Sequence, residues 1–168
     1  ELLKGKELKK RYPQFNCDTV VLDPNGGIIE ASTVVNTFAS LALKNVVQLR
    51  TKAKVSDIDE KSITLEGGEK ILTDKIVVTA GVWNTKLLKG RIKVVPSRQE
   101  LIYFKPKKLE LFQKEKFPSF GHMESGFYGI PIHKINAVKI ANHFPGEPAD
   151  PDTVDRKPTQ KFIDECRD

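Results

Sequence analysis

Apolar residues along this chain recur first at helical and then at strand spacing, and the places where the rhythm changes predict its elements. Residues 4–11 read as a short helix that Pro13 stops, followed by a strand over 19–22, a turn at 23–27 and a returning strand at Ile28 and Ile29. Ser32 is expected to cap a helix ending near Asn45, because Val34, Val35, Phe38, Ala39, Leu41 and Ala42 follow i, i+3, i+4, i+7 spacing. Such a one-sided apolar stripe predicts packing on a sheet.

Beyond that helix the period shortens. Residues 46–49 read as a parallel strand, and 53–58, 62–65 and 70–72 as a β-meander punctuated by Glu60-Lys61 and Gly67-Gly68. The β-branched run over 75–81 predicts a buried strand of a parallel sheet, with close approach of another group at its terminal Gly81. From Ile92 the texture changes to long strands over 94–104, 117–123, 126–132 and 137–143, turned at 124–125 and 133–136, which makes a second, antiparallel sheet. A Pro- and Asp-rich loop over 145–158 leads to a helix at Thr159, with Phe162, Ile163 and Cys166 as its apolar face. That helix reaches the last residue without a cap, so the chain is expected to be an internal piece of a longer protein.

Composition narrows the partners. No apolar run approaches the roughly 20 residues that span a bilayer, and Glu1-Leu2-Leu3-Lys4 lacks the order of a signal peptide, so no membrane and a cytoplasmic setting are expected. Cys17 and Cys166 have no CxxC or His/Cys cluster, which points to no metal and no disulfide framework. The net charge of +6 comes partly from two clusters, Lys4, Lys6, Lys9, Lys10 and Arg11, and Lys105, Lys107, Lys108, Lys114 and Lys116. With no recognition motif beside them they read as solvated faces, and no nucleic-acid partner is expected. Asp150 and Asp152, lacking a closing Glu and a turn Gly, fall short of a calcium loop and read as exposed.

The order of elements from 28 to 88 is that of the later half of a dinucleotide-binding domain, while no GxGxxG occurs anywhere to cradle a pyrophosphate. Several short pieces recur in one order: Leu8-Lys9-Lys10-Arg11-Tyr12-Pro13, Gly27-Ile28-Ile29 with its following helix, and Ala80-Gly81-Val82-Trp83-Asn84-Thr85-Lys86-Leu87-Leu88. Then come Pro96-Ser97-Arg98-Gln99, Tyr128-Gly129-Ile130-Pro131, Lys139 with His143, and Asp150-Pro151-Asp152-Thr153. In these pieces, over almost its full length, the chain resembles the sarcosine oxidase and N-methyl amino acid oxidase family, FAD-dependent flavoproteins related to D-amino-acid oxidase.

The resemblance implies that a secondary or tertiary amino acid gives a hydride to the flavin and that the imine is then hydrolysed. The architecture expected is α+β: a mixed, mostly antiparallel substrate-domain sheet from 1–30 and 92–143, with the helix at Thr159 completing a substrate-domain part over 92–168, and an incomplete FAD-domain lobe, β-meander and strands, over 31–91. Tyr128 and His143 would face the substrate as catalytic residues, against the plainer readings of a half-buried sheet tyrosine and a strand-end histidine; His122 and His133 are weaker candidates. Ala80, Gly81, Trp83 and Arg98 would lie beside FAD, against a tight turn with a packing tryptophan and an arginine paired at the surface.

The expected partners are a small amino acid substrate and the rest of the same protein at both ends. Cys166 does not match the cysteine that often tethers flavin in this family, and this chain alone is expected to hold little FAD and to turn nothing over. The reading from another class is a non-enzymatic binding module that keeps the sheet without the cofactor.

Overall fold

The structure is a computed structural model in which residues 1–167 are described. In chain order it runs β1 (Leu2–Lys4), α1 (Gly5–Arg11), β2 (Thr19–Val21), α2 (Ala31–Lys44), β3 (Val55–Ile58), β4 (Ser62–Leu65) and β5 (Lys70–Leu72). A 3-10 turn (Gly81–Trp83) enters α3 (Asn84–Leu87), followed by β6 (Leu101–Phe104), β7 (Phe120–Gly121), β8 (Phe127–Ile130), β9 (Val138–Asn142) and α4 (Gln160–Glu165). The class is α+β, and every ladder among the described residues is antiparallel. Gln113 and Ile132 make an isolated parallel bridge.

The chain divides into two compact units. The first comprises Glu1–Ile29, Gln99–Gly146 and Asp155–Asp168, the second Glu30–Arg98 and Glu147–Val154.

In the first unit β1 and β2 pair in register Leu2↔Val21 to Lys4↔Thr19, and Leu3 and Leu8 of the adjoining α1 have no exposed surface. This two-stranded ladder is separate from the main sheet, whose order is β6-β9-β8-β7, so the expected continuous sheet from 1–30 and 92–143 is corrected to two. Three residues of strand ahead of a basic helix give too short an alternation to be seen in sequence. One face of the main sheet is covered: Phe127 stacks on Phe162 of α4 with centroids 6.0 Å apart, and Phe120 joins Phe15, Phe117 and, through Phe117, Phe112. The Thr159 hydroxyl caps α4 by accepting from Phe162 N–H at 3.2 Å.

Of the strand expected over 94–104 only Leu101–Phe104 enters the ladder. Pro96, without an N–H, cannot donate to a ladder; its carbonyl accepts from Ala149 instead.

In the second unit β3-β4-β5 form the expected meander, with Gly68 at φ +85 in its second turn. The helix predicted from Ser32 begins at Ala31, and its N-cap is Glu30, whose carboxylate accepts from the Thr33 hydroxyl at 2.9 Å. Its apolar stripe is present but uncovered, with Val35 64% and Phe38 68% exposed.

Three expected strands of this chain are corrected. Ile28 and Ile29 enter no ladder, and Ile29 is 80% exposed. Residues 46–49 are irregular because Val46 sits at φ 63, where the helix end turns back and Val47 N–H bonds to Ala42 O. The run over 75–80 is unpaired, with Val77 87% exposed, so the buried parallel strand expected there has no neighbour among the described residues.

Candidate functional site

In the first unit the β8–β9 hairpin sets Tyr128 opposite Ala141 and Ile130 opposite Lys139. Cross-strand partners share a face and alternate residues of a strand return to it, so Lys139, Ala141 and His143 lie on the face of Tyr128. The backbone continues the register one step past β9, where His143 N–H donates to Gly126 O at 2.8 Å. Gly126 closes this end: its φ is +73, and a Cβ there would come within 2.7 Å of Asn142 Oδ1 and 2.8 Å of the Phe144 ring.

Tyr128 is half-buried and His143 exposed. The Lys139 ammonium stands 5.8 Å from the centroid of the Tyr128 ring, a cation–π distance. The same face carries Leu101 and Tyr103 from β6 through their pairing with Ala141 and Lys139, and they remain 45% and 54% exposed. This is the sheet face opposite to the one α4 and the phenylalanine cluster cover. A phenol, an ammonium and an imidazole thus share a face with large apolar groups, an arrangement able to hold a small anion against an apolar body. Lys139 was seen in sequence only as a matching position; the two-residue steps from 139 to 143 were the signal that it shares a face with His143. Of the weaker histidines, His122 pairs its Nδ1 with Ser125 Oγ at 2.7 Å inside the β7–β8 turn, and His133 is half-buried after β8.

In the second unit Ala80, Gly81 and Trp83 form one turn. Trp83 N–H donates to Ala80 O at 3.1 Å, and Ala80 N–H donates to Asn84 Oδ1 at 3.3 Å. Gly81 has φ +54, and a Cβ built on it meets nothing within 4 Å, so the turn is open on that side. Arg98 is half-buried, and its N–H donates to Glu147 O at 2.8 Å.

The residues missed in sequence are those that hold this turn. Trp83 Nε1 donates to Asp152 Oδ1 at 2.8 Å. Lys86 Nζ donates to Asp152 Oδ2 at 2.5 Å and to Asp150 Oδ1 at 2.7 Å, while Asp152 N–H donates to the same Asp150 oxygen at 2.9 Å. Lys86 holds both carboxyls below their ordinary range, with a further lowering of Asp150 by Asp152 N–H and of Asp152 by the Trp83 indole. The ammonium is raised in return by Asp150 first and Asp152 second. Asp150-Pro151-Asp152 reads locally as a turn, and its partners lie 64 to 69 positions away, so no local pattern announces them.

Among the described residues no group of three or more His, Cys, Asp or Glu is placed to hold a metal ion, and no helix is long and apolar enough to cross a membrane. Cys17 and Cys166 are free thiols. Burial, ahead of Glu165 and Glu100, pushes the Cys166 thiol up.

Comparison with known proteins agrees with the resemblance. Monomeric sarcosine oxidase of Bacillus sp. (strain B-0618) is 29% identical over 168 residues, covering 94% of this chain and 43% of the relative. Monomeric sarcosine oxidase of Arthrobacter sp. (strain TE1826) is 27% identical with the same coverage. The chain therefore spans less than half the length of these curated relatives. The family model for FAD dependent oxidoreductase matches residues 1–168, and the chain belongs to that family.

Proposed function

We propose that the whole protein oxidises the C–N bond of a small secondary or tertiary amino acid, N-methylated or cyclic, and that this chain supplies one wall of the substrate site and part of the flavin contact. The observation that carries this reading is the common sheet face of Tyr128 and Lys139, with Lys139 Nζ 5.8 Å from the Tyr128 ring centroid and His143 one residue past the strand end, its N–H bonded to Gly126 O. In a site of this kind the ammonium and phenol orient the substrate carboxylate, the apolar neighbours exclude water from its alkyl groups, and the imidazole exchanges a hydrogen bond with the amine side. Sarcosine, the substrate in the relatives' name, is the first compound to test.

FAD, when bound, supplies the electron sink for the hydride leaving the substrate carbon. The turn at Ala80, Gly81 and Trp83 fits such a group, because Gly81 leaves its side open and its backbone approachable. The residues that would touch FAD are Ala80, Gly81, Trp83 and Arg98. The pyrophosphate needs a cradle that no GxGxxG of this chain provides.

The test is steady-state oxidation of sarcosine by the full-length protein loaded with FAD. Tyr128→Phe and His143→Ala are each expected to lower kcat/KM by about tenfold or more, roughly 1.4 kcal/mol of lost transition-state binding. Wild-type kinetics in both variants would remove the site assignment. A purified protein without flavin absorbance would remove the enzymatic reading as a whole.

A further inference from the structure

We infer that Trp83, Lys86, Asp150 and Asp152 form a latch that positions the open turn at Gly81, making Lys86 and Asp152 positioning residues for the flavin contact. The inference rests on the proposal that this turn faces FAD.

The loop Glu147–Val154 belongs to the second unit although the residues on both sides of it belong to the first. It is held there at two points. At its start, Arg98 N–H donates to Glu147 O at 2.8 Å, Ala149 N–H donates to Pro96 O at 2.9 Å, and Ser97 bridges Pro148. Three residues on, Asp150 and Asp152 grip the turn: Asp152 spends one oxygen on the Trp83 indole and the other on Lys86, and Asp150 spends one on Lys86. The loop is itself stiffened, since Thr153 and Val154 N–H groups both donate to Asp150 O.

Trp83 is the last residue of the 3-10 turn that Gly81 opens, and Lys86 lies in the helix that continues it. Fixing the indole and the ammonium adds two side-chain anchors to the turn's own backbone bonds. The need for such a device follows from the packing: Trp83 is 42% exposed and no residue of the turn or of α3 is buried, so apolar burial does not hold this segment. Exposed ion pairs add little to global stability one at a time, yet a carboxylate shared between an indole and an ammonium restricts orientation. Lys54 also faces this cluster, lowering Asp152 further and feeling the charge of Lys86, and it is itself paired with Glu66 at 2.9 Å.

The experiment uses the full-length protein with Asp152→Ala, Asp152→Asn and Lys86→Met. Two quantities are read: the Trp83 indole N–H resonance, assigned through its loss in Trp83→Phe, and the FAD dissociation constant measured by titrating the flavin-free protein. Asp152→Ala is expected to shift the indole resonance, speed its exchange with solvent and weaken FAD binding by roughly three- to tenfold, up to about 1.4 kcal/mol. Lys86→Met should weaken FAD binding by a smaller factor. Asp152→Asn keeps an oxygen for the indole and should restore its resonance and most of the affinity.

An indole resonance unmoved by Asp152→Ala overturns the latch. A shifted resonance with wild-type FAD affinity overturns its role in positioning the flavin contact. Failure of the wild-type protein to bind FAD sinks the proposed function itself, and that control separates it from the other two outcomes.

Discussion

The two units are stabilised by different physics. The first buries Leu3, Leu8, Phe117, Ile132, Val138, Ala141 and Phe162 below a tenth of their surface, whereas in the second the buried side chains are Leu65 and Ser62. The second unit leans on charge without such a centre, through Arg50–Glu69, Lys54–Glu66, Lys70–Asp59, Lys89–Asp57 and Lys86 with its two aspartates, whereas in the first unit the pairs Arg11–Glu1, Lys114–Glu115, Lys161–Glu165 and Arg167–Asp164 lie beside an apolar core. The same chain thus builds one region around an apolar centre and another around turns and ion pairs. Its second region keeps a helix stripe and an extended apolar run uncovered, with Phe38 at 68% and Val77 at 87% exposure.

The strongest way to break this contrast is a pair of truncations. Phe117→Ala, in the middle of the aromatic cluster, is expected to cost about 3–5 kcal/mol, while Phe38→Ala on the uncovered stripe should change stability by less than about 0.5 kcal/mol. Urea unfolding of both variants measures it. An equal loss for Phe38→Ala would mean that its ring is covered in solution.

Glycines sharpen the contrast at a middle magnitude. A Cβ on Gly129 would run into the Phe120 ring and lie 2.9 Å from Lys139 O, so Gly129→Ala should cost about 1–3 kcal/mol through overpacking. Gly81→Ala meets open space but must hold φ near +54, a left-handed strain of about 1–2 kcal/mol. Its larger effect is expected on FAD affinity in the full-length protein, which Gly129→Ala should alter less.

The smallest effects come from acid and salt. Asp57, chiefly through Lys89, Glu69 through Arg50, and Asp150 and Asp152 through Lys86 are held below their ordinary values, and these four belong to the second unit. A depressed carboxyl contributes stability that is present above its ordinary pKa and lost as pH falls through its folded value. Lowering the pH below about 4 should therefore perturb the backbone resonances of the second unit before those of the first. Salt near 1 M, where the Debye length is about 3 Å, should act in the same direction at neutral pH.

Legibility followed the range of each signal along the chain rather than the division into units. The meander and the β8–β9 hairpin could be read because Gly67-Gly68 and residues 133–136 carry turn chemistry between alternating strands, and that information is local. The stripe of α2 was equally plain, since Val34, Phe38 and Leu41 repeat at helical spacing. Pairing is not local: Lys75 to Ala80 has the composition of a buried strand, but a strand needs a neighbour, and none lies beside it among the described residues.

At the candidate site, Tyr128 and His143 came from the family likeness, while Lys139 joins them only once the register is known. The grip of Lys86 on Asp150 joins residues 64 positions apart and leaves no trace in a window of sequence.

The excursion of Glu147–Val154 into the second unit also sets an order of events during translation. Residues 30–98 leave the ribosome first, but the aspartates that complete their unit follow only after about 50 further residues, roughly 2–10 s at ordinary elongation rates. For that interval the nascent second unit lacks its closing ion pairs, and the turn at Gly81 waits for the loop that fixes Trp83 and Lys86.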